Sequence, residues 1–272
     1  WVEDQYFPHK GDSSRAWRVY AVCDIGSQAA VENWLRMPYI ERGAAERLYI
    51  EVKFSMRDCK HFPAIVRSCK ETFSLLYYES EFDFSSTEMP TWNTKTYRMI
   101  DRIAADKGRF SDNNEIVVNV EQTSVRVGKK GVFIAFQDEG ACLSLLAIRV
   151  YYKACPLNVS NYAVFPQTPT GEEVSSVKQA DGTCVDNSVQ MQRPTYLCTG
   201  SGRWSLLQGG CECLPGYQAV ERLQSCEGLF HRLRWGAGVK PLGPCRQEHE
   251  RKPRHRDRHR KEDTERITRV EK

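Results

Sequence analysis

The spacing of the cysteines between residues 155 and 226 limits what this chain can fold into more than any other feature. Cys155, Cys184, Cys198 and Cys211 surround a Gly-x-Trp segment at residues 202–204, and the sequence continues as Cys-x-Cys-Leu-Pro-Gly-Tyr from Cys211. A segment of roughly sixty residues with one tryptophan cannot bury enough apolar surface to be stable alone, so disulfides must contribute. The pattern therefore predicts an extracellular, disulfide-linked module.

The cysteine content of the whole chain supports this placement, since 272 residues contain 11 cysteines. A zinc site at the Cys-x-Cys of Cys211 and Cys213 is the alternative, but no Cys-x-x-Cys partner or His pair with zinc spacing follows before the tail. We expect no metal and no cofactor. Asn158-Val159-Ser160 is the one N-glycosylation sequon, and it predicts a glycan on Asn158.

The last segment, residues 246–272, contains 11 Lys/Arg and 7 Asp/Glu, so it holds the entire net charge of +4. It has too few apolar residues to offset the entropy of ordering, and we expect a disordered basic tail. A nucleic-acid-binding arm and a gene-model or splice product are the alternatives. The mixed charges and extracellular setting disfavour nucleic acid. The absence of a signal peptide, an initiator methionine and a long apolar run predicts a piece of a longer protein that does not itself insert into a membrane.

The first part of the chain has the pattern of an all-β domain. Runs of β-branched and aromatic residues, in part with period-two alternation, are separated by glycines, which suggests a two-sheet sandwich or jelly roll. The predicted strands span 47–56, 71–79, 116–127, 132–137 and 143–153. The polar segment from Ser80 to Tyr97 is predicted to be an irregular loop, and its length suggests a binding role.

Four cysteines lie within this domain. Cys59 and Cys69 are ten residues apart, which makes a local disulfide plausible. Cys23 and Cys142 would then close a loop of more than about a hundred residues and contribute roughly 4–5 kcal/mol in the chain-entropy model.

Several short motifs resemble the ligand-binding domain of Eph receptors. They occur in the family's order at residues 33–36 (NWLR), 57–59 (RDC), 68–73 (SCKETF), 77–79 (YYE), 103–106 (IAAD), 135–138 (AFQD), 140–142 (GAC) and 149–153 (RVYYK). The likeness runs from about residue 1 to 230, because the sushi-like and EGF-like cysteines follow where this family has them.

The resemblance implies an all-β jelly-roll sandwich at residues 1–154, with its N-terminal strand truncated. It further implies a sushi-like module at 155–212, a partial EGF-like segment at 213–245 and the disordered basic tail at 246–272. The implied disulfides are Cys23–Cys142, Cys59–Cys69, Cys155–Cys198, Cys184–Cys211 and Cys213–Cys226, and Cys245 remains without a partner.

The implied function is to accept an ephrin loop in a channel of the sandwich during contact-dependent cell–cell signalling. The expected partner is an ephrin ectodomain on an opposing cell, and receptor self-clustering is a further expectation. Arg57 would meet an acidic side chain of the ligand, since a guanidinium matches a carboxylate. The other implied ligand-binding residues are Cys23, Cys142, Leu143, Ser144, Leu146, Val118 and Asn119.

Alternatives remain at each of these positions. Arg57 could instead form a structural salt bridge with Asp58 or Glu71, and the apolar residues could belong to the core. A secreted carbohydrate-binding jelly roll with a complement-like sushi module is the competing function, with Phe82, Phe84 and Trp92 as its exposed aromatics. No catalytic motif is present, and Asp138 and Glu139 are predicted to point to opposite faces of a strand. The expected location is the extracellular face of the plasma membrane, or secretion if the short form is real.

Overall fold

The computed structural model describes residues 1–6, 17–26, 30–63, 69–84, 89–105, 117–222 and 224–228. Cys245 and the predicted basic tail lie outside these ranges. No α-helix occurs in the described part, where a single 3-10 turn at Cys59–His61 accompanies the strands. The predicted all-β class is therefore confirmed.

The first domain contains two antiparallel sheets. The first sheet has the order β1-β2-β10-β5-β8, and its strands are Val2–Tyr6 (β1), Trp17–Cys23 (β2), Cys142–Tyr151 (β10), Arg47–Met56 (β5) and Asn119–Arg126 (β8). The second sheet has the order β3-β9-β6-β7, and its strands are Asn33–Arg36 (β3), Gly131–Asp138 (β9), Thr72–Ser80 (β6) and Arg98–Ala104 (β7), with Ile40–Glu41 (β4) paired to β9.

The core lies between these sheets, and alternation along β5 shows how the sequence builds it. Ile50, Val52, Phe54 and Met56 are each at most 1% exposed, whereas the residues between them are only half-buried. This is the period-two pattern of a strand with one face in the core. From the second sheet, Phe73 meets the ring of Phe54 edge-on, with 5.1 Å between the ring centroids.

Strand β9 departs from this pattern, because all eight of its residues are buried. Ile134 and Phe136 face the core between the sheets, whereas Phe133 and Ala135 belong to a second apolar cluster on the outer face. That outer cluster is covered by the segment between β6 and β7, which supplies Phe84, Met89 and Tyr97. The predicted irregular loop is thus a cover for the second sheet.

The second module follows directly and contains small sheets. Its strands are Ala154–Cys155 (β11), Asn158–Ser160 (β12), Ala163–Phe165 (β13), Thr168–Pro169 (β14), Val177–Asp181 (β15), Thr183–Cys184 (β16), Ser188–Thr199 (β17) and Trp204–Cys213 (β18). Tyr217–Val220 (β19) and Ser225–Gly228 (β20) form a final hairpin.

The core of this module is small and aromatic. The ring of Trp204 stacks on Tyr196 with centroids 4.8 Å apart, and its indole N–H donates to the carbonyl oxygen of Pro156 at 2.8 Å. Phe165 is fully buried beside both rings. Gly202 has φ of +78°, a conformation that side chains disfavour, which explains the glycine before this tryptophan.

Five disulfides cross-link the described chain. They join Cys23 to Cys142, Cys59 to Cys69, Cys155 to Cys198, Cys184 to Cys211, and Cys213 to Cys226. These are the pairs that the family resemblance implies. Because Cys211 and Cys213 are both in disulfides, the zinc alternative for them is wrong.

Ion pairs join the two modules. Arg47, at the start of β5, donates from Nε to the carbonyl oxygen of Glu172 at 2.7 Å and pairs with Glu173 at 3.2 Å. Lys178 pairs with Glu46 at 2.8 Å. Only 12% of the Arg47 side chain is exposed, so this contact is partly desolvated and connects the sandwich to the segment before β15.

Candidate functional site

The register of the first sheet brings most of the predicted binding residues to one end of the sandwich. Cys142 lies opposite Cys23, and Leu143 lies opposite Met56. On the other side of β5, Asn119 pairs with Phe54. Four strands therefore contribute to this end, although their residues are far apart in sequence.

The predicted residues divide between the two faces of this sheet. Leu143 is 3% exposed and lies in the core, and Asn119 is 2% exposed with its amide directed at the carbonyl oxygen of Phe54. Leu146 is the extra residue of a β-bulge and is also buried. These three side chains offer a ligand little surface.

The remaining predicted residues lie on or beside the outer face of the first sheet, at the same end of the sandwich. The strand register places Ser144 between Ala21 on β2 and Ser55 on β5. All three residues face away from the core, because alternate residues of a strand point to opposite faces. These three small side chains form a shallow floor. Val118 borders it and is 42% exposed.

Sequence reasoning missed Ala21, Ser55 and Val120 as members of this surface. Val120 is 44% exposed and shares a face with Val118, because residues two apart on a strand point the same way. That Val-x-Val spacing is the sequence signal for Val120. Ala21 and Ser55 are recognisable only from strand pairing. We call this region the Arg57 surface. It consists of Arg57, the Cys23–Cys142 disulfide and the outward-facing residues Ala21, Ser55, Val118, Val120 and Ser144.

Arg57 stands at the edge of this surface. Its backbone N–H donates to the carbonyl oxygen of Cys142 at 2.9 Å, and its side chain is exposed. Among the described residues, no carboxylate pairs with the guanidinium. Asp58 accepts from the N–H of Lys60 at 2.9 Å, and Glu71 accepts from the N–H of Cys59 at 3.0 Å. The alternative in which Arg57 pairs with Asp58 or Glu71 is therefore wrong.

The neighbouring Asp58 has a fixed structural task. Its carboxylate caps the 3-10 turn, and the hydrogen bond from the backbone N–H of Lys60 holds its pKa below the usual value, with a further contribution from the Lys60 side chain. The Cys59–Cys69 disulfide closes the same segment. The cap and the disulfide both fix the chain directly after Arg57 and so orient that residue.

The aromatic residues considered for sugar binding are used differently. Phe84 stacks over Phe133 at 6.2 Å, and Trp92 stacks on Tyr97 at 6.0 Å. The guanidinium of Arg36 lies 4.4 Å from the centre of the Trp92 ring. Phe82 is 65% and Trp92 44% exposed, but the Trp92 ring is already in contact with Tyr97 and with Arg36. The carbohydrate-binding alternative is not favoured.

The adjacent carboxylates Asp138 and Glu139 are structural. Asp138 is fully buried and accepts from the N–H groups of Gly140 and Ala141 at 3.1 and 2.6 Å. Glu139 instead pairs with Lys70 and Arg102 near the surface. Within the described ranges, no group of three or more His, Cys, Asp or Glu side chains could hold a metal ion.

The sequon lies on a surface strand of the second module. Asn158 begins β12 and is half-buried, and the hydroxyl of Ser160 donates to its side-chain oxygen at 3.3 Å. Glycosylation of Asn158 stays a prediction. A helix with the length and apolar character needed to cross a membrane does not occur in the part that the structure describes.

The fold and this surface define a class of protein: a disulfide-linked extracellular β-sandwich with a shallow, partly apolar surface bordered by the exposed Arg57, followed by a cysteine-rich module. Comparison with known families agrees. Residues 1–155 match the ephrin receptor ligand binding domain, and residues 156–213 match the ephrin cysteine rich domain. The chain belongs to the ephrin receptor family, of which it represents an extracellular region. Neither matched domain is a kinase domain.

Individual receptors show the same likeness. The chain is 42% identical to ephrin type-B receptor 2 of Gallus gallus over 217 residues, which is 78% of this chain and 21% of that receptor. It is 40% identical to ephrin type-B receptor 3 of Homo sapiens over 211 residues, 77% of this chain and 21% of the receptor. It is 42% identical to ephrin type-A receptor 4-B of Xenopus laevis over 233 residues, 84% of this chain and 23% of the receptor. The chain thus spans about a fifth of the length of these relatives.

Proposed function

We propose that this chain binds an ephrin ectodomain through the Arg57 surface. The observation that carries the proposal is the exposed Arg57 guanidinium, which has no carboxylate partner in the described part of a domain that matches the ephrin receptor ligand binding family. Such a group is available to pair with a carboxylate of another protein.

The chemistry of the surface favours an extended loop with apolar and acidic residues. The small side chains of Ala21, Ser55 and Ser144 leave room for a peptide backbone to approach the sheet. Val118 and Val120 offer apolar contacts at the side of this floor. A carboxylate beside Arg57 would form two parallel hydrogen bonds with the guanidinium, an arrangement that fixes the position of the ligand.

The test is binding of the full chain to one B-type and one A-type ephrin ectodomain on a sensor surface, with Arg57→Glu as the variant. Loss of one partner in a desolvated ion pair costs about 2–5 kcal/mol, so we expect the affinity to fall by at least about thirtyfold. Arg203→Glu is the matched control, because it makes the same charge change on an exposed side chain of the second module. We expect the affinity of this control to stay within about threefold of the wild type, since Arg203 lies outside the sandwich that carries the Arg57 surface.

The outcomes separate the competing functions. Binding that is lost in Arg57→Glu but kept in Arg203→Glu, with unchanged thermal unfolding of both, supports the proposal and identifies the ephrin class. Binding that is insensitive to Arg57→Glu, or that neutral sugars compete away, contradicts it. Relatives of both types A and B are 40–42% identical to the chain, so the test includes both ligand classes.

The wider role follows from this interaction. In the proposed function the ephrin is presented by an opposing cell, and the bound receptor signals contact between the two cells. The relevant location is the outer surface of the plasma membrane.

Self-clustering of the receptor is supported by exposed aliphatic side chains on the second module. Val177 on β15, Met191 on β17 and Leu206 on β18 are 55%, 64% and 50% exposed. Exposed aliphatic residues on one sheet suit contact with another protein surface. Sedimentation of the wild type and of Leu206→Glu tests this, since clustering through this sheet predicts that the charge reduces self-association.

A further inference from the structure

A polar cavity lies at the end of β6 opposite to the Arg57 surface. It has a volume of about 200 Å³ and is lined by Tyr77, Tyr78, Glu79, Thr96 and three cations, Lys95, Arg98 and Lys129. It forms where the end of β6, the start of β7 and the turn between β8 and β9 meet. The pairing of Tyr77 with Arg98 brings two of these segments together.

The charge of this cavity is unbalanced. Lys95, Arg98 and Lys129 are exposed, and none of them forms an ion pair with a carboxylate in the described ranges. The one carboxylate in the lining, Glu79, accepts from the backbone N–H groups of Gly128 and Lys129 at 3.0 and 3.1 Å. Glu79 is therefore occupied in holding the turn, and the three cations remain available to an external anion.

Positive charge continues beyond the cavity along the same turn. Lys130 is exposed next to Lys129, and Arg42 donates from Nε to the carbonyl oxygen of Lys129 at 2.5 Å. The carboxylates Glu41, Glu81 and Asp83 lie close to Tyr39, where they add to the effect of burial in raising the pKa of its hydroxyl.

We propose that this cavity binds a sulfate ester of an extracellular glycan. Arg and Lys side chains form charge-assisted hydrogen bonds with tetrahedral oxyanions, and three such donors converge here. The lining is polar and lacks an apolar slot, so it suits a sulfated sugar better than the aromatic ring of a sulfated tyrosine. This mode differs from neutral-sugar stacking on Phe82, Phe84 and Trp92, because it depends on charge.

This site is separate from the Arg57 surface. Glu71, next to the start of β6, contacts the segment that follows Arg57, whereas Glu79 lies near the other end of the strand. Eight residues of extended chain correspond to about 26 Å, so the two sites can be occupied together. The proposal therefore does not depend on ephrin binding.

The test uses the full chain and a defined, fully sulfated heparin hexasaccharide, with binding measured by calorimetry in 0.15 M NaCl. The variant is the triple charge reversal Lys95→Glu, Arg98→Glu and Lys129→Glu. The matched control reverses Arg193, Arg203 and Arg222, which are exposed in the second module, and so has the same net charge. Since charges further apart than about 8 Å are largely screened at this ionic strength, an effect of net charge alone would be similar in both variants.

We expect the cavity variant to lose at least tenfold in affinity and the control variant to stay within threefold, with the desulfated hexasaccharide binding to neither. Inorganic sulfate competing only at far higher concentration than the hexasaccharide supports a glycan as the source of the ester. Equal binding by both variants, equal binding of the desulfated sugar, or tighter binding of a sulfotyrosine peptide at this site overturns the proposal. Unchanged ephrin binding by the cavity variant shows that it folds and keeps the two proposals distinguishable.

Discussion

Asp138 and Glu139 are neighbours in sequence with opposite surroundings. The Asp138 carboxylate is buried and accepts hydrogen bonds from two backbone N–H groups and from the side-chain amide of Asn33 at 3.2 Å. Glu139 contacts exposed cations. The side chains of adjacent residues at the end of a strand point to opposite faces of the sheet. These two carboxylates therefore differ in how much they contribute to stability.

Asp138→Ala should destabilise the sandwich strongly. It leaves the N–H groups of Gly140 and Ala141 buried without acceptors, at about 1–3 kcal/mol for each unpaired donor. Glu139→Ala is the control and should change the free energy of unfolding by at most about 1 kcal/mol, because it removes only surface ion pairs. Urea unfolding of the three proteins measures this, and equal destabilisation by both variants would contradict the assignment.

The Asp58 cap should make local stability depend on pH. Its folded-state pKa is lowered, so the stabilising effect is complete above the unfolded pKa and is lost as pH falls through the folded pKa. Asp58→Ala should therefore differ from the wild type at neutral pH and converge with it in acid. Thermal unfolding of both proteins between pH 7 and pH 2 is the measurement, and a constant difference across this range would exclude the cap.

The sequence predicted some of the site and could not predict the rest. Arg57 was identified through a family motif, and its exposure agrees with a binding role. Leu143 and Asn119 were expected to line the site but face the interior, because the inward or outward direction of a residue depends on strand register. The floor residues Ala21 and Ser55 have no local signal, since they become neighbours only when β2, β10 and β5 pair.

At the scale of elements, the structure of the segment between β6 and β7 differs most from what its sequence predicts. Its composition is polar, yet Phe84, Met89 and Tyr97 anchor it to the outer face of the second sheet. Arg36 of β3 holds it further, since its guanidinium donates to the hydroxyl of Tyr97 at 3.2 Å and lies over Trp92. This cover explains why every residue of β9 is buried.

Arg36→Met should release this segment without unfolding the sandwich. The cation–π contact and the hydrogen bond together contribute on the order of 1–3 kcal/mol to its anchoring. Amide hydrogen exchange in residues 89–97 should accelerate, while exchange in β9 and β5 stays slow. Lys130→Met is the control, since Lys130 lies 5.8 Å from the exposed ring of Phe82. Equal acceleration in both variants, or none in Arg36→Met, would count against the anchor.

The five strands predicted from periodicity all occur, with ends shifted by up to a few residues. The strands that were not predicted, such as β2, β3 and β7, are short or follow no clean alternation. β7 shows the physical reason: it is an edge strand with mostly exposed residues, so little apolar patterning is required of it. The all-buried β9 also lacks alternation but was recognisable as a continuous apolar run.

At the scale of the whole molecule, the ion pairs between the sandwich and the second module set how the two parts are joined. Arg47 contacts Glu172 and Glu173 and also donates to the hydroxyl of Ser124 at 2.9 Å. Lys178 also pairs with Glu46, and Arg126 of β8 pairs with Glu172 and Glu173. Because the connection between modules is short and these contacts lie beside it, they restrict bending at the joint.

Arg47→Met should loosen the joint while leaving each module folded. The partly buried pair with Glu173 and the hydrogen bond to the Glu172 carbonyl are lost, and the methionine keeps much of the packing. Small-angle scattering should show a wider range of dimensions, with unchanged near-UV circular dichroism. Arg193→Met, which removes the exposed pair with Asp181, is the control and should scatter like the wild type. Identical scattering from all three proteins would show that the pair does not restrict the joint.

The Cys23–Cys142 disulfide has a mechanical consequence for a receptor that connects cells. The bond joins residues 119 positions apart, and Arg57, Ser55 and Val118 all lie between them. A force pulling on the two ends of the chain passes through the sulfur atoms and bypasses this loop, whose extended length is about 400 Å. Arg57, Ser55 and Val118 are therefore not loaded directly until the disulfide is reduced, whereas Ala21 and Ser144 lie just outside the loop, so a reductant would lower both the rupture force and the retention of a bound ligand.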